Sequence, residues 1–247
     1  MPFTFVHPAA VLPLAGRTGR YLSLIGLLLG STMPDFEYFA RVQMGSIYGH
    51  TWLGLLIWNL PVGLLVAWVY LRWVHTSLVF HLPAAIAQRV GAWLRSAVPS
   101  TLTGWTVLSY SILIGATTHI AWDSFTHGGH MTGQVLPALS QEITLGGFTF
   151  PRYKLLQQVS TLIGGIALAA YVWRLPSDYS FASADISSMM RYWSIVVASA
   201  VAMLAIKFMM GLTLVEYGTV AAALISGGLI GLLVASILLP NRDKSLS

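Results

Sequence analysis

In the stretch TTHIAWDSFTHGGH, residues 117–130, His119, Asp123 and His127 recur every four residues. On an α-helix, positions four apart lie one turn up, with about 40° of drift. His119 and Asp123 can therefore bind one metal ion, as two ligands one turn apart do in helix-borne zinc sites. The three residues cover about 12 Å if the helix continues that far. Gly128-Gly129 is a natural stop, so His127 can open the loop and fold back toward the same ion or a second one. An HxxxD pair can equally be a neutral His–Asp contact between helices.

The chain has only 8 acidic residues, and Asp35, Glu37 and Asp123 all fall in His/Asp clusters at the ends of apolar runs. A carboxylate within a membrane costs roughly 3 kcal/mol on insertion scales, and an ion of charge +2 offsets that. His7, Asp35, His50, His119 and Asp123 together offer five ligands of types that suit zinc first, then manganese or iron. One catalytic zinc needs about three protein ligands and a water. Five therefore hold one ion, or two bridged by a carboxylate, an arrangement that suits in-line displacement at phosphorus. His127 and Glu37 lie next to ligands yet outside that set and are the candidates for general base or acid. Gln157 and Gln158 are candidate polar wall residues or ordinary interhelical hydrogen-bonding groups. His75 and His81, among Arg72 and Arg89, are set aside.

The elements that carry these residues belong to a membrane protein. The 247 residues are 56% hydrophobic and 9% charged, where soluble domains carry about 25% charge. Six apolar segments stand out: Tyr21–Met33, ending at Pro34-Asp35; Leu53–Leu71, interrupted by Asn59 and Pro61; Trp105–Phe125; Leu155–Trp173; Tyr192–Leu214; and Tyr217–Leu239. Several approach the roughly 20 residues that cross a bilayer core. Residues 77–100 read as an amphipathic helix lying in the interface. The spacing predicts an all-α, polytopic transmembrane helical bundle of about six spans in a single integral membrane domain, 1–247. Residues 1–165 bear the motifs, and 166–247 supply C-terminal helices. The absence of cysteine excludes disulfides, thiolate metal sites and cysteine nucleophiles. Pro2, Pro8 and Pro13 break the N-terminal apolar stretch, and no basic residue precedes it, so it is not a secretory signal.

The net charge of +5 is spread one or two residues per loop, which fits membrane topology and not a nucleic-acid partner. Taking span ends alternately, one side collects Arg17, Arg20, Arg72, Arg89, Arg95, Arg174, Arg191, Arg242 and Lys244. The other collects Arg41, Arg152 and Lys154. The larger set predicts a cytoplasmic C-terminus and places Asp35, Glu37, His50, Asp123 and His127 toward the external face. His7 precedes Arg17 and Arg20. A helix from Pro8 to Arg17 rises about 15 Å, half the bilayer core. His7 therefore reaches the site only from a re-entrant or half-spanning segment buried by other helices.

The segments MPFTFVHPAAVLPL, GSTMPDFEYF, GHTWLGLLIWNLPVGLL, GATTHIAWDSFTH and YKLLQQVSTLIGG resemble the bacterial membrane family catalogued as domain of unknown function 4184. The likeness runs from Met1 to about Gly165 and more loosely beyond. More distantly, the order His, Pro-Asp, His, His-x-x-x-Asp resembles the inner-membrane metal-dependent hydrolases and the zinc-dependent phospholipase C and nuclease group. That resemblance implies that His7, Asp35, His50, His119 and Asp123 are metal ligands. It also departs from those groups, since a single His50-Thr51 follows Gly49 and further histidine ligands are not found. The expected activity is hydrolysis of a phosphoester or related bond in a lipid or lipid-linked substrate, in the bacterial inner membrane. Two alternatives stay open: a cation or proton transporter using the same His/Asp cluster, and a non-catalytic scaffold held by a closed metal site.

Overall fold

The computed structural model describes residues 3–19, 21–93, 97–128, 136–179 and 183–241. Arg20, Arg95, Arg242 and Lys244 of the charge pattern, and Gly129 and His130 of the motif, lie outside the described residues. A 3-10 segment, Thr4–Val11, and a short turn, Leu12–Ala15, lead into α1 (Leu24–Gly30) and α2 (Met33–Arg41). There follow α3 (Leu55–Phe80), α4 (Ala84–Trp93), α5 (Leu102–Thr126), α6 (Arg152–Arg174), α7 (Ile186–Met209) and α8 (Tyr217–Leu238). The one sheet among the described residues is a hairpin, β1 (Glu142–Leu145) against β2 (Phe148–Pro151). Helices α3, α6, α7 and α8 are long and apolar enough to cross a membrane. The chain is thus an all-α membrane protein. Helix α5 has a comparable length, 25 residues, but its apolar run is broken by Thr117, Thr118, His119 and Asp123.

Several expected boundaries move, each for a local reason. Pro34-Asp35 begins a helix instead of ending one. The break falls at Ser31 and Thr32, whose hydroxyls donate back to the Leu28 and Leu29 carbonyls, and Pro34 then occupies the first turn of α2, where its missing N–H is harmless. Asn59 and Pro61 do not interrupt α3. Two π-helical turns, Leu55–Asn59 and Tyr70–Val74, absorb the irregularity and the helix runs on to Phe80. The interfacial helix expected over 77–100 shrinks accordingly to Ala84–Trp93, because Pro83 cannot continue α3. The N-terminal helix expected from Pro8 to Arg17 is instead mainly 3-10 and contains Pro8.

The contacts of the chain gather in two compact units. One comprises Met1–Pro34, Tyr48–Gly63 and Trp105–Tyr171. Its packing turns on glycines that let backbones meet. A Cβ on Gly30 would stand 2.2 Å from the Ile112 carbonyl oxygen, and one on Gly115 would stand 2.4 Å from that of Leu27. Only hydrogen at these positions allows α1 and α5 to approach so closely. Ser23 caps α1 by accepting from the Gly26 N–H, while its own N–H donates to Ser111 Oγ on α5. The hairpin turns at Gly146 and Gly147, both with positive φ, as a two-residue turn of this kind requires.

The other unit comprises Asp35–Ile47, Leu64–Gly104 and Val172–Ser247. Here α7 and α8 pack through Gly227 and Gly231, whose added Cβ atoms would lie 2.5 Å from Ser199 O and 2.8 Å from Val196 Cα. The Tyr192 hydroxyl meets Ser236 Oγ at 2.8 Å, and the His81 ring stacks on Tyr192 with centroids 4.4 Å apart. His75 and His81 are both buried in this unit. By contrast, a Cβ at Gly228 would meet nothing within 4 Å. Gly115→Val is therefore expected to lower stability by about 1–3 kcal/mol and Gly228→Ala to leave it unchanged or slightly raised, as read from thermal melts in detergent.

Candidate metal centre

Asp123 sits in the last full turn of α5, buried to 6% exposure, and four imidazoles face its carboxylate. His7 Nε2 lies 3.1 Å and His127 Nδ1 3.3 Å from Oδ1. His119 Nε2 lies 3.2 Å and His50 Nε2 3.4 Å from Oδ2. The helical ladder of α5 extends one residue past its end, since the His127 N–H donates to the Asp123 carbonyl at 3.0 Å. His119, Asp123 and His127 thus form one continuous stripe. The structure brings together all three histidines and the aspartate that the spacing singled out on separate segments: His7, His50, His119 and Asp123.

Two of the imidazoles are held from behind, and a third by its loop. The Nδ1–H of His119 donates to the Ser31 carbonyl at 2.7 Å, which the close approach of α1 and α5 at Gly30 and Gly115 delivers. His7 Nδ1 lies 3.2 Å from the Thr4 carbonyl, within the 3-10 segment. That segment is pinned to α6 by the Phe3 N–H donating to Thr161 Oγ1 at 3.2 Å and by Val6 against Gly164. His50 rides on a tight loop. The Asn59 amide donates to the Gly49 carbonyl at 2.8 Å, and the Gly54 N–H donates to Thr51 Oγ1 at 2.9 Å. A carbonyl can only accept, so these bonds put a proton on Nδ1 of His7 and His119 and leave Nε2 as the ring atom that faces Asp123. The His7 and His119 rings are stacked at 3.7 Å, with His50 edge-on to His119 at 5.4 Å.

Asp35 is fully buried in the first turn of α2. The boundary between the two units falls inside that turn, so the same turn of helix holds Asp35 as holds Met33 and Pro34. One ligand atom each from Asp35, His50, His119 and Asp123 lies within 4.8 Å of the others. This buried group can hold a metal ion. Glu37, two residues on, is engaged elsewhere: its carboxylate accepts from Arg41 Nη1 at 3.3 Å, Ser46 Oγ at 2.7 Å and the Ile47 N–H at 2.9 Å. Gln157 is buried and Gln158 exposed.

The family described as Domain of unknown function (DUF4184) matches residues 1–237. The chain belongs to that family. The match takes in every member of the cluster from His7 to His127, all of the first compact unit, and the second as far as residue 237. No curated protein and no solved structure matches. The likeness to inner-membrane hydrolases and to the zinc phospholipase group therefore rests on residue order alone.

The residue that spacing passes over is Asn59. Read as a break in an apolar run, it is the buried clamp on the loop that carries His50. The only signal for it is an amide standing alone in a run of apolar side chains. Asn59→Ala removes the amide donor from the buried Gly49 carbonyl and is expected to lower stability by about 1–3 kcal/mol, measured by thermal denaturation of the purified protein.

Proposed function

We propose that this DUF4184 member is a membrane-embedded, metal-dependent hydrolase that cleaves a phosphoester or related bond in a lipid or lipid-linked substrate. The observation that carries the reading is the spacing of donors around Asp123. Tetrahedral bonds of about 2.0–2.1 Å set neighbouring ligand atoms about 3.3 Å apart, and His119 and His50 stand 3.2 and 3.4 Å from Asp123 Oδ2. Charge-assisted N–H···O⁻ bonds run shorter, about 2.7–2.9 Å. Protons alone fill this space poorly, because two imidazolium charges about 4 Å apart repel by about 4 kcal/mol at an effective dielectric constant of 20. The Nδ1–H bonds to backbone carbonyls are also the usual outer support of metal-bound histidines.

Asp35, His50, His119 and Asp123 would hold the ion, zinc first by donor type. His7, whose Nε2 faces Asp123 Oδ1, would be a fifth ligand, and five ligands of these types could hold one ion or two. A bound ion of this kind lowers the pKa of a coordinated water and polarises a phosphoryl oxygen. The remaining work falls to side chains. The side chain of His127 is 33% exposed, whereas those of His7 and His119 are fully buried, so His127 alone among the three can meet a substrate. With Nδ1–H directed at Asp123 Oδ1, its Nε2, which is covered in this structure, would have to be uncovered by a turn of the ring to take the proton from the attacking water as the P–O bond to the leaving group breaks. The same Nε2 returns that proton to the leaving oxygen. Glu37, held by three donors, serves this scheme by fixing the 42–47 loop that follows α2.

Lipid substrates are supported by the four apolar helices of spanning length, and the charge pattern supports a bacterial inner-membrane protein with the site toward the external face and a cytoplasmic C-terminus. The natural chain has no cysteine. Single cysteines at Thr51 and Ser177 should accordingly be labelled by a membrane-impermeant maleimide from outside and inside respectively; labelling of both from one side overturns the orientation.

Elemental analysis of the purified protein tests the centre. One or two equivalents of a divalent metal are expected in the natural sequence, with loss in Asp35→Ala, His119→Ala and Asp123→Ala. No metal in the natural protein rejects the reading. His127→Gln should keep the metal and lower turnover of phospholipid or polyprenyl-phosphate substrates about 10²–10⁴-fold. Stoichiometric metal with no hydrolysis across that screen would favour transport or a structural ion.

A further inference from the structure

We infer a second ligand site, separate from the metal centre, that takes the zwitterionic headgroup of a phospholipid carrying a primary ammonium, the phosphoethanolamine class. It lies within the Asp35–Ile47/Leu64–Gly104/Val172–Ser247 unit, at the turn joining α7 and α8. A cavity of about 190 Å³ opens there, lined by Lys207, Glu216, Gln43 and Thr219 among others. That is several times the ~30 Å³ that a water molecule occupies in the liquid.

The walls are built. The Glu216 carboxylate is fixed by the Thr213 N–H and hydroxyl, which donate to its Oε1 at 3.1 and 2.9 Å. The Gln43 N–H donates to the Tyr38 carbonyl at 3.0 Å, and the neighbouring Met44 packs its side chain on Gly218. Lys207, in the last turn of α7 and half-buried, makes no ion pair among the described residues although Glu216 lines the same cavity. A cation and an anion that share a pocket without closing on each other suit a ligand bearing both charges. The phosphate would meet the Lys207 ammonium and the Gln43 amide, and the ligand ammonium would meet Glu216.

The occupant follows from where the cavity lies. Both flanking helices are of spanning length, so the turn between them falls at the level where acyl chains give way to headgroups. Its side chains agree: Met209, Met210, Leu214, Val215 and Tyr217 are each more than 70% exposed, which suits lipid contact and not a water-facing loop. A lysine one turn inside a span end extends its ammonium to the phosphate level. A glycerol or choline headgroup fits less well. Glycerol offers Glu216 no charge, and a trimethylammonium offers it no hydrogen to donate.

This site depends on the membrane reading and owes nothing to the metal centre, so its failure would leave that proposal standing. Binding of soluble dihexanoyl phosphatidylethanolamine, phosphatidylcholine and phosphatidylglycerol to the purified full chain tests it. Phosphatidylethanolamine should bind about tenfold more tightly than the other two. Lys207→Gln should weaken it at least about tenfold, and Lys207→Arg should restore it. Glu216→Gln, at an exposed position, should abolish the preference among headgroups; it carries the test alone if Lys207→Gln does not fold. Equal binding of all three lipids by the natural protein overturns the site, as does Lys207→Gln binding unchanged. Free O-phosphoethanolamine binding as tightly as the lipid would overturn the assignment to a lipid.

Discussion

A carboxylate buried among apolar helices has to be compensated, and most of what distinguishes this chain follows from how Asp123 is. With 6% exposure, it is denied most of the hydration that would stabilise its charge. The molecule answers with imidazoles on both oxygens and with backbone carbonyls behind His7 and His119. Each layer sets the geometry of the one inside it. The innermost contacts are side chain to side chain, the next are side chain to backbone, and the outermost are helix packing.

That outermost layer explains why small residues matter so far from the chemistry. Gly30 and Gly115 contribute no side chain to the cluster, yet they set the depth at which α1 lies on α5 and hence where the Ser31 carbonyl meets His119. The π-helical turn at Leu55–Asn59 has a similar place. It rotates Asn59 inward to hold the His50 loop, at the expense of regular hydrogen bonding. Such turns often gather at functional sites, and here one has an identifiable duty.

How much of this is legible in the sequence depends on the scale. The long apolar helices are, since length and hydropathy alone define them: α5 and α8 end within three residues of the boundaries that pattern suggests. The cluster is legible too, because carboxylates are so scarce in this chain that His119 and Asp123 stand out with Asp35. What is hidden is whatever the backbone supplies. Nothing in the letters marks the Ser31 and Thr4 carbonyls as the partners of His119 and His7. The position of His7 is decided by a 3-10 segment whose turns the α-helical period does not describe. The hairpin is a different case. The run ITLGGFTF alternates β-branched and aromatic residues around Gly-Gly, a readable hairpin signal that a search for apolar runs passes over.

The separation of His7 from its carboxylate partner has a temporal meaning. The two are 116 residues apart, and synthesis proceeds at about 5–20 residues per second, so His7 is incorporated about 6–23 s before Asp123. The first helices must settle in the lipid while the pocket still lacks Asp123 and His119. The cluster is thus complete only once the fifth helix has been delivered, after the topology of the first helices has been set.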